Sequence, residues 1–267
     1  MLVIGYVVYL LALARRAADP EISASHKMRA AICGAIPDSD FLADYFSSTL
    51  FSHSSLPELR ALNPHHHLSL YVKNFRISGT DIRTHEEYHG QNLGSQVSTG
   101  FRLVTFGGSS LKLEELKRRA HQVDGGVRYA VNLATCIDQE RFKILTVQFR
   151  TPLNIGESFC IEYDEFWPRA MTWGTDAVSF AQILFYPRGI SKVQSRLTFD
   201  SLVSSIGAYW FDLDSGECSA DLQQPKMIAK DNEACEYEWS VINPPNSRLY
   251  FMIHARPLPD QSANDKF

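Results

Sequence analysis

Tyr237-Glu238-Trp239-Ser240-Val241 and Leu249-Tyr250-Phe251-Met252-Ile253 carry large apolar residues at every second position, and Asn243-Pro244-Pro245-Asn246-Ser247 lies between them. Successive side chains of a strand point to opposite faces, so this spacing buries one face of each run and wets the other. Two such runs around a Pro/Asn turn predict a β-hairpin.

The same two-residue period extends back to Leu68. Tyr129, Val131, Leu133 and Thr135 share one strand face against Arg128, Asn132 and Cys136. Phe159, Ile161 and Tyr163 alternate with Glu162 and Asp164, and Val193, Leu197 and Phe199 with Gln194, Arg196 and Thr198. Leu68–Ile77, Val97–Phe106, Phe142–Arg150, Val178–Tyr186 and Ile206–Asp212 are further strand candidates. Many short strands joined by short turns predict a large antiparallel β-sandwich or a Greek-key barrel. One inserted helix is expected over residues 110–121, capped at Ser110 and stopped by Asp124-Gly125-Gly126.

Upstream of Leu68 the pattern is helical: Leu2–Arg16, Ala24–Ile36 after Pro20, and Asp38–Ser47. The whole is therefore expected to be α+β: a short helical region over 1–64, an antiparallel β domain over 65–256 and a polar tail over 257–267. Leu2–Ala14 is a run of about thirteen mostly apolar residues, shorter than the roughly 17–25 of a spanning helix. It fits a buried helix, a helix that contacts a membrane, or a secretory leader without the usual basic start.

The 267 residues are 45% apolar and 21% charged, a composition that buries a core and excludes a disordered chain. A net charge of −4 gives no basic excess for a nucleic-acid duplex, so no nucleic-acid partner is expected. Cys33, Cys136, Cys160, Cys218 and Cys235 are widely spaced, without a Cys-x-x-Cys pair, and read as reduced thiols of a cytoplasmic protein, peripheral to a membrane if Leu2–Ala14 makes that contact.

Chemistry is carried by few strings. His85-Glu86-Glu87-Tyr88-His89 is a literal H-E-x-x-H. On a helix that spacing puts two imidazoles on one face to hold zinc, with the first glutamate activating the metal-bound water. Glu115 is a candidate third ligand. The flanking residues are polar, and the alternative is an exposed excursion between strands. His65-His66-His67 reads as a solvated loop. Gly107-Gly108-Ser109-Ser110 is a turn or an anion-binding helix start. Asp212-Leu213-Asp214-Ser215-Gly216-Glu217 has oxygens at calcium-like spacing, but its glycine comes one residue early and a hairpin turn is expected.

Phe166-Trp167-Pro168-Arg169-Ala170-Met171-Thr172-Trp173-Gly174 concentrates residue types found at recognition hot spots. Trp167, Arg169, Met171 and Trp173 are the candidate ligand-binding residues, with inward packing of the indoles as the alternative. Finally, Arg76 or Arg83, Ser98-Thr99-Gly100 and Glu162-Tyr163-Asp164 resemble in part the arginine, Ser-Thr-Ser and glutamate pattern of ADP-ribosyltransferases, departing from it at Gly100 and Asp164.

These residues lead to a non-enzymatic recognition or sensor module that binds a protein or small ligand through its loops and needs no cofactor. The helical head would serve oligomerisation or coupling to a membrane or partner. The alternative is a zinc-dependent hydrolase with His85, His89 and Glu115 as ligands and Glu86 as general base.

Overall fold

The computed structural model describes residues 20–35, 62–106, 115–138, 142–169, 177–183, 186–200, 203, 205–230 and 234–255. They form one helix, α1 (Pro20–Ala35), and strands in three sheets. The eight-stranded sheet runs, edge to edge, β13 (Lys226–Lys230), β14 (Cys235–Ile242), β10 (Lys192–Phe199), β1 (His66–Ser78), β2 (Asp81–Asn92), β8 (Ser158–Trp167), β4 (Lys117–Asp124) and β5 (Val127–Ala130). A four-stranded sheet holds β12 (Cys218–Ala220), β11 (Ser205–Asp212), β15 (Arg248–Ala255) and β9 (Ala177–Ile183). A three-stranded sheet holds β3 (Ser98–Phe106), β7 (Phe142–Leu153) and β6 (Leu133–Asp138). The chain is thus mostly β with a helical element, as the two-residue period requires.

The core lies on one side of the large sheet, where period-two patterning sends Tyr71, Phe75 and Ile77 of β1, Phe159, Ile161 and Tyr163 of β8, and Val193, Leu197 and Phe199 of β10. Phe101 of β3 meets Tyr88 and Phe159 at ring centroids of 5.1 and 5.2 Å, which joins the three-stranded sheet to the large one. Trp239 of β14 meets Tyr250 of β15 at 5.4 Å and joins the four-stranded sheet to it. Each such aromatic pair adds about 0.5–1.5 kcal/mol beyond its area burial. On α1, Met28 and Ile32 are four apart on one helix face and both fully buried, and the helix packs on β12.

Several expectations are corrected. The sheet is mixed, because β1 and β10 pair in parallel from Tyr71↔Val193 to Ile77↔Phe199. Strands Tyr237–Val241 and Leu249–Ile253 exist but do not form a hairpin: β14 pairs with β10 and β13, and β15 with β11 and β9. Alternation records that one face is buried, not which strand lies alongside, and here the Pro244-Pro245 link carries the chain between sheets. The expected strand over 129–135 is split between β5 and β6 of different sheets.

The expected helix over 110–121 is also overturned, since residues 117–121 belong to β4. Gly125 and Gly126, which looked like a helix stop, have φ of 55° and 82° and join β4 to β5 with Asp124 opposite Val127. Two consecutive positive-φ residues make the tight hairpin turn whose twist matches its strands. Residues 212–217 do form the expected hairpin turn, where Asp212 Oδ1 accepts from the amides of Asp214 and Ser215 and Gly216 takes φ of 75°. Leu2–Arg16, Asp38–Ser47, Gly107–Ser110 and the 257–267 tail lie outside the described residues. No helix among the described residues is long and apolar enough to cross a membrane. The five cysteines form no disulfide among the described residues.

Candidate functional site

The His85–His89 string is a strand. It is the middle of β2, hydrogen-bonded to β1 on one side and β8 on the other, with Asn74↔His85 and His85↔Asp164 in register. Gly90 fits this packing and does not end a helix: a Cβ there would stand 2.7 Å from His67 O and from the Phe159 ring. The strand splits the string by face, sending Glu86 and Tyr88 inward and His85, Glu87 and His89 outward.

Glu86 is 2% exposed. It pairs with Lys73 Nζ at 2.8 Å and accepts from Tyr71 Oη at 2.9 Å and from Tyr88 Oη. Beside it, Glu165 accepts from Tyr163 Oη at 2.7 Å and from Thr105 Oγ1 at 3.4 Å, and burial pushes its carboxyl above the ordinary range. The same burial, reinforced by Glu86, raises the phenols of Tyr71, Tyr88 and Tyr186. The premise of a helical zinc motif is therefore corrected: Glu86 is a buried, paired charge on the opposite face from His85 and His89. Among the described residues no group of three or more histidine, cysteine or acidic side chains is placed to hold a metal ion. Glu115 lies exposed just before β4.

On the outer face, His85 Nδ1 stands 2.8 Å from Asp164 Oδ1 and its Nε2 3.3 Å from Glu87 Oε1. Glu87 Oε2 is in turn 3.1 Å from His89 Nε2, so one carboxylate bridges two imidazoles. Arg128 reaches across β4 to Glu162 at 2.5 Å and Asp164 at 3.8 Å. Partial burial opposes the His85 imidazolium, but Asp164 and then Glu87 outweigh it and raise the pKa above 6.5. Cys160 Sγ is 3.9 Å from His89 Nε2. Burial first, then Glu162 and Glu87, push its thiol up to about 11, so it is protonated at neutral pH and a poor nucleophile.

One row further along the strands the chemistry changes sign. Arg83 of β2 and Lys117 of β4 lie directly opposite Phe166 of β8, with the guanidinium 5.2 Å and the ammonium 5.8 Å from the ring centroid. Arg119, on the next outward position of β4, is exposed, as are Arg83 and Lys117. No carboxylate pairs with any of the three among the described residues. Arg76, opposite Arg83, is the exception in this row, paired to Asp200 at 3.2 Å.

Of the loop candidates, Trp167 is 4% exposed and packs inward. Arg169 is exposed at the strand's exit, with φ of 52° held by its amide donating to Asp81 Oδ1 at 2.8 Å. Met171 and Trp173 lie outside the described residues. The parts of the ADP-ribosyltransferase-like pattern are not brought together, since Ser98 is buried on β3 of the three-stranded sheet while Glu162 sits outward on β8.

Two features were missed by sequence reasoning. The Arg83–Phe166–Lys117 row depends on strand register, which no local spacing carries. His66, read as part of a solvated loop, is 3% exposed among Phe101, Phe149 and Phe159, with neither ring nitrogen hydrogen-bonded. Burial, then the charge of His65, lowers its pKa to about 4. Its signal was present, as the first residue of an alternating run through Leu68.

No protein-family model matches the sequence, and no curated protein matches it. Among solved structures the chain is similar to the M1 zinc metallopeptidase of Deinococcus radiodurans, with 10% identity and a TM-score of 0.44 over 72% of this chain. A variant of the Deinococcus radiodurans peptidase bound to a Tyr-Ser-Ala substrate gives 11% identity and a TM-score of 0.42 over the same share of this chain. The chain spans 43% of the length of these structures.

Proposed function

We propose that this protein is a non-enzymatic recognition module, a layered β-sandwich that binds an anionic segment of a partner protein. The site is the outer face of β2, β8 and β4 where β8 leaves the sheet towards residues 168–176. The observation that supports this is the row Arg83–Phe166–Lys117, two exposed cations on the strands either side of β8 with one aromatic ring between them, with the exposed Arg119 one outward position along β4, in register with Asp164. Two like charges on one face of a sheet, with no carboxylate paired to either among the described residues, present a positive patch that an anionic partner complements. Phe166 supplies the apolar contact that gives such a site a centre, and Arg169 extends it at the end of β8, with Met171 and Trp173 following in sequence. The region over 1–64, which contains α1, serves oligomerisation or coupling with a membrane or partner in this reading, in the cytoplasm.

The test is fluorescence anisotropy with two labelled peptides, Glu-Glu-Tyr-Glu and its uncharged counterpart Gln-Gln-Tyr-Gln. The acidic peptide binds, weakens as salt is raised, and loses about tenfold in affinity in the Arg83→Ala/Lys117→Ala variant. Equal binding of the two peptides, or no effect of the double substitution, refutes the assignment. Metal analysis addresses the hydrolase alternative: the purified protein carries only substoichiometric zinc. One zinc per chain, lost in His85→Ala, would replace the recognition reading with that of a zinc enzyme.

A further inference from the structure

The outward positions of β2, β8 and β4 form rows that run across the strands. In the first row Arg83, Phe166 and Lys117 lie directly opposite one another, in the next His85, Asp164 and Arg119, and in the third Glu87, Glu162 and His121. The strands that carry Arg83 and Lys117 are two spacings, about 10 Å, apart. Their charges stand 5.2 and 5.8 Å from the centroid of the Phe166 ring between them, so they are separated by no more than about 11 Å. Followed along β8, the same face turns acidic at once, with Asp164 and then Glu162 after Phe166. On β2, His85 and then Glu87 follow Arg83.

We infer, on the reading of the preceding section, that the anionic segment is an amphipathic helix of the partner lying across the strands, with one carboxylate on Arg83, a second two turns away on Lys117 and an apolar pair between them on Phe166. Residues seven apart on a helix share a face and are separated by about 10.5 Å, which matches the spacing of the two cations. An extended segment offers same-face positions about 7 or 14 Å apart, too close or too far to meet both at once. The helix positions three and four residues along fall on the same face between the two carboxylates. Apolar side chains there cover the Phe166 ring and the aliphatic stems of Arg83 and Lys117. Charge sets the direction of the helix. A segment laid along β8 or β2 would carry its carboxylates onto Asp164, Glu162 and Glu87, whereas one laid across keeps both on cations.

The experiment uses the full chain and two labelled peptides of one composition, Glu-Ala-Ala-Leu-Leu-Ala-Ala-Glu and Glu-Ala-Ala-Leu-Leu-Glu-Ala-Ala, each held helical by a hydrocarbon staple in place of its third and seventh side chains. The first, whose pattern reads the same in both directions, keeps its glutamates on one face, and the second turns them about 140° apart. By fluorescence anisotropy the first binds at least about tenfold more tightly. Arg83→Ala and Lys117→Ala each abolish that preference, and Arg119→Ala leaves it. In Arg83→Glu/Lys117→Glu the chain prefers the stapled Lys-Ala-Ala-Leu-Leu-Ala-Ala-Lys instead, a gain that loss of fold cannot produce. Equal affinity for the two acidic isomers, with the dependence on Arg83 and Lys117 retained, overturns the helix while the anionic site stands. A preference that survives Arg83→Ala and is lost in Arg119→Ala places the ligand along β4 and overturns it too. No binding of any acidic peptide removes both readings.

Discussion

Glu86 and His66 show how differently one core treats two ionisable groups. Glu86 is surrounded by Lys73 and two phenols, so its charge is met. Glu86→Ala leaves the Lys73 ammonium buried without its partner, and equilibrium denaturation is expected to show a loss of about 3–5 kcal/mol. His66 has no such partner and stays neutral. Its folded-state pKa of about 4 lies below the ordinary 6.5, so the unfolded chain binds the extra proton first as pH falls. Stability is therefore unaffected above pH 6.5, declines as pH drops towards 4, and levels off below that, a loss on the order of 2–3 kcal/mol. His66→Phe should flatten this pH dependence, and urea midpoints between pH 7 and 4 provide the check. His85 behaves in the opposite sense. Its raised pKa adds stability that is complete below pH 6.5 and is lost as pH rises through the folded-state value. In Asp164→Asn the imidazole titration followed by NMR should move downward.

At the scale of elements, the strands β1, β3, β8, β10 and β14 were legible because each has one apolar and one polar face, and β7, β11 and β15 as runs rich in apolar and aromatic residues, β7 and β15 being buried on both faces. Helix α1 was legible from its apolar spacing and from Pro20, which is its first residue. Strand β2 was not, because its inward face carries Thr84, Glu86 and Tyr88 where apolar residues are expected, and the buried ion pair with Lys73 that makes this tolerable comes from another strand. Strand β4 hid for a related reason: Lys117-Arg118-Arg119 gives no alternation, and only Ala120 on that strand is fully inward. Of the candidate site, the residues near Phe166 were picked out for their composition, while the pairing of Phe166 with Arg83 and Lys117 arises from register between strands far apart in sequence. The strand assignment of β2 has a direct test at Gly90. A methyl group there meets a backbone oxygen that cannot move aside, so Gly90→Ala should cost about 1–3 kcal/mol in thermal or urea unfolding, whereas a glycine at a helix end would tolerate alanine.

For the whole molecule, the decisive contact is the parallel pair of β1 and β10 at the middle of the large sheet. Ser195 Oγ donates to Lys73 O across 122 residues of sequence, so the centre of the sheet closes only after a long loop is ordered. Refolding after a stopped-flow dilution is accordingly expected near the slow, roughly second-scale end of the range for β proteins, and a main phase within a millisecond would be incompatible with this topology. The cluster of phenols around Glu86 and Glu165 has an optical consequence. Tyr71, Tyr88, Tyr163 and Tyr186 all ionise above their ordinary range while the sheets stay together. Alkali must therefore open the protein before these rings darken in the near ultraviolet. Their absorbance should rise in a single steep step that coincides with collapse of the circular-dichroism signal, which makes the interior its own built-in indicator dye.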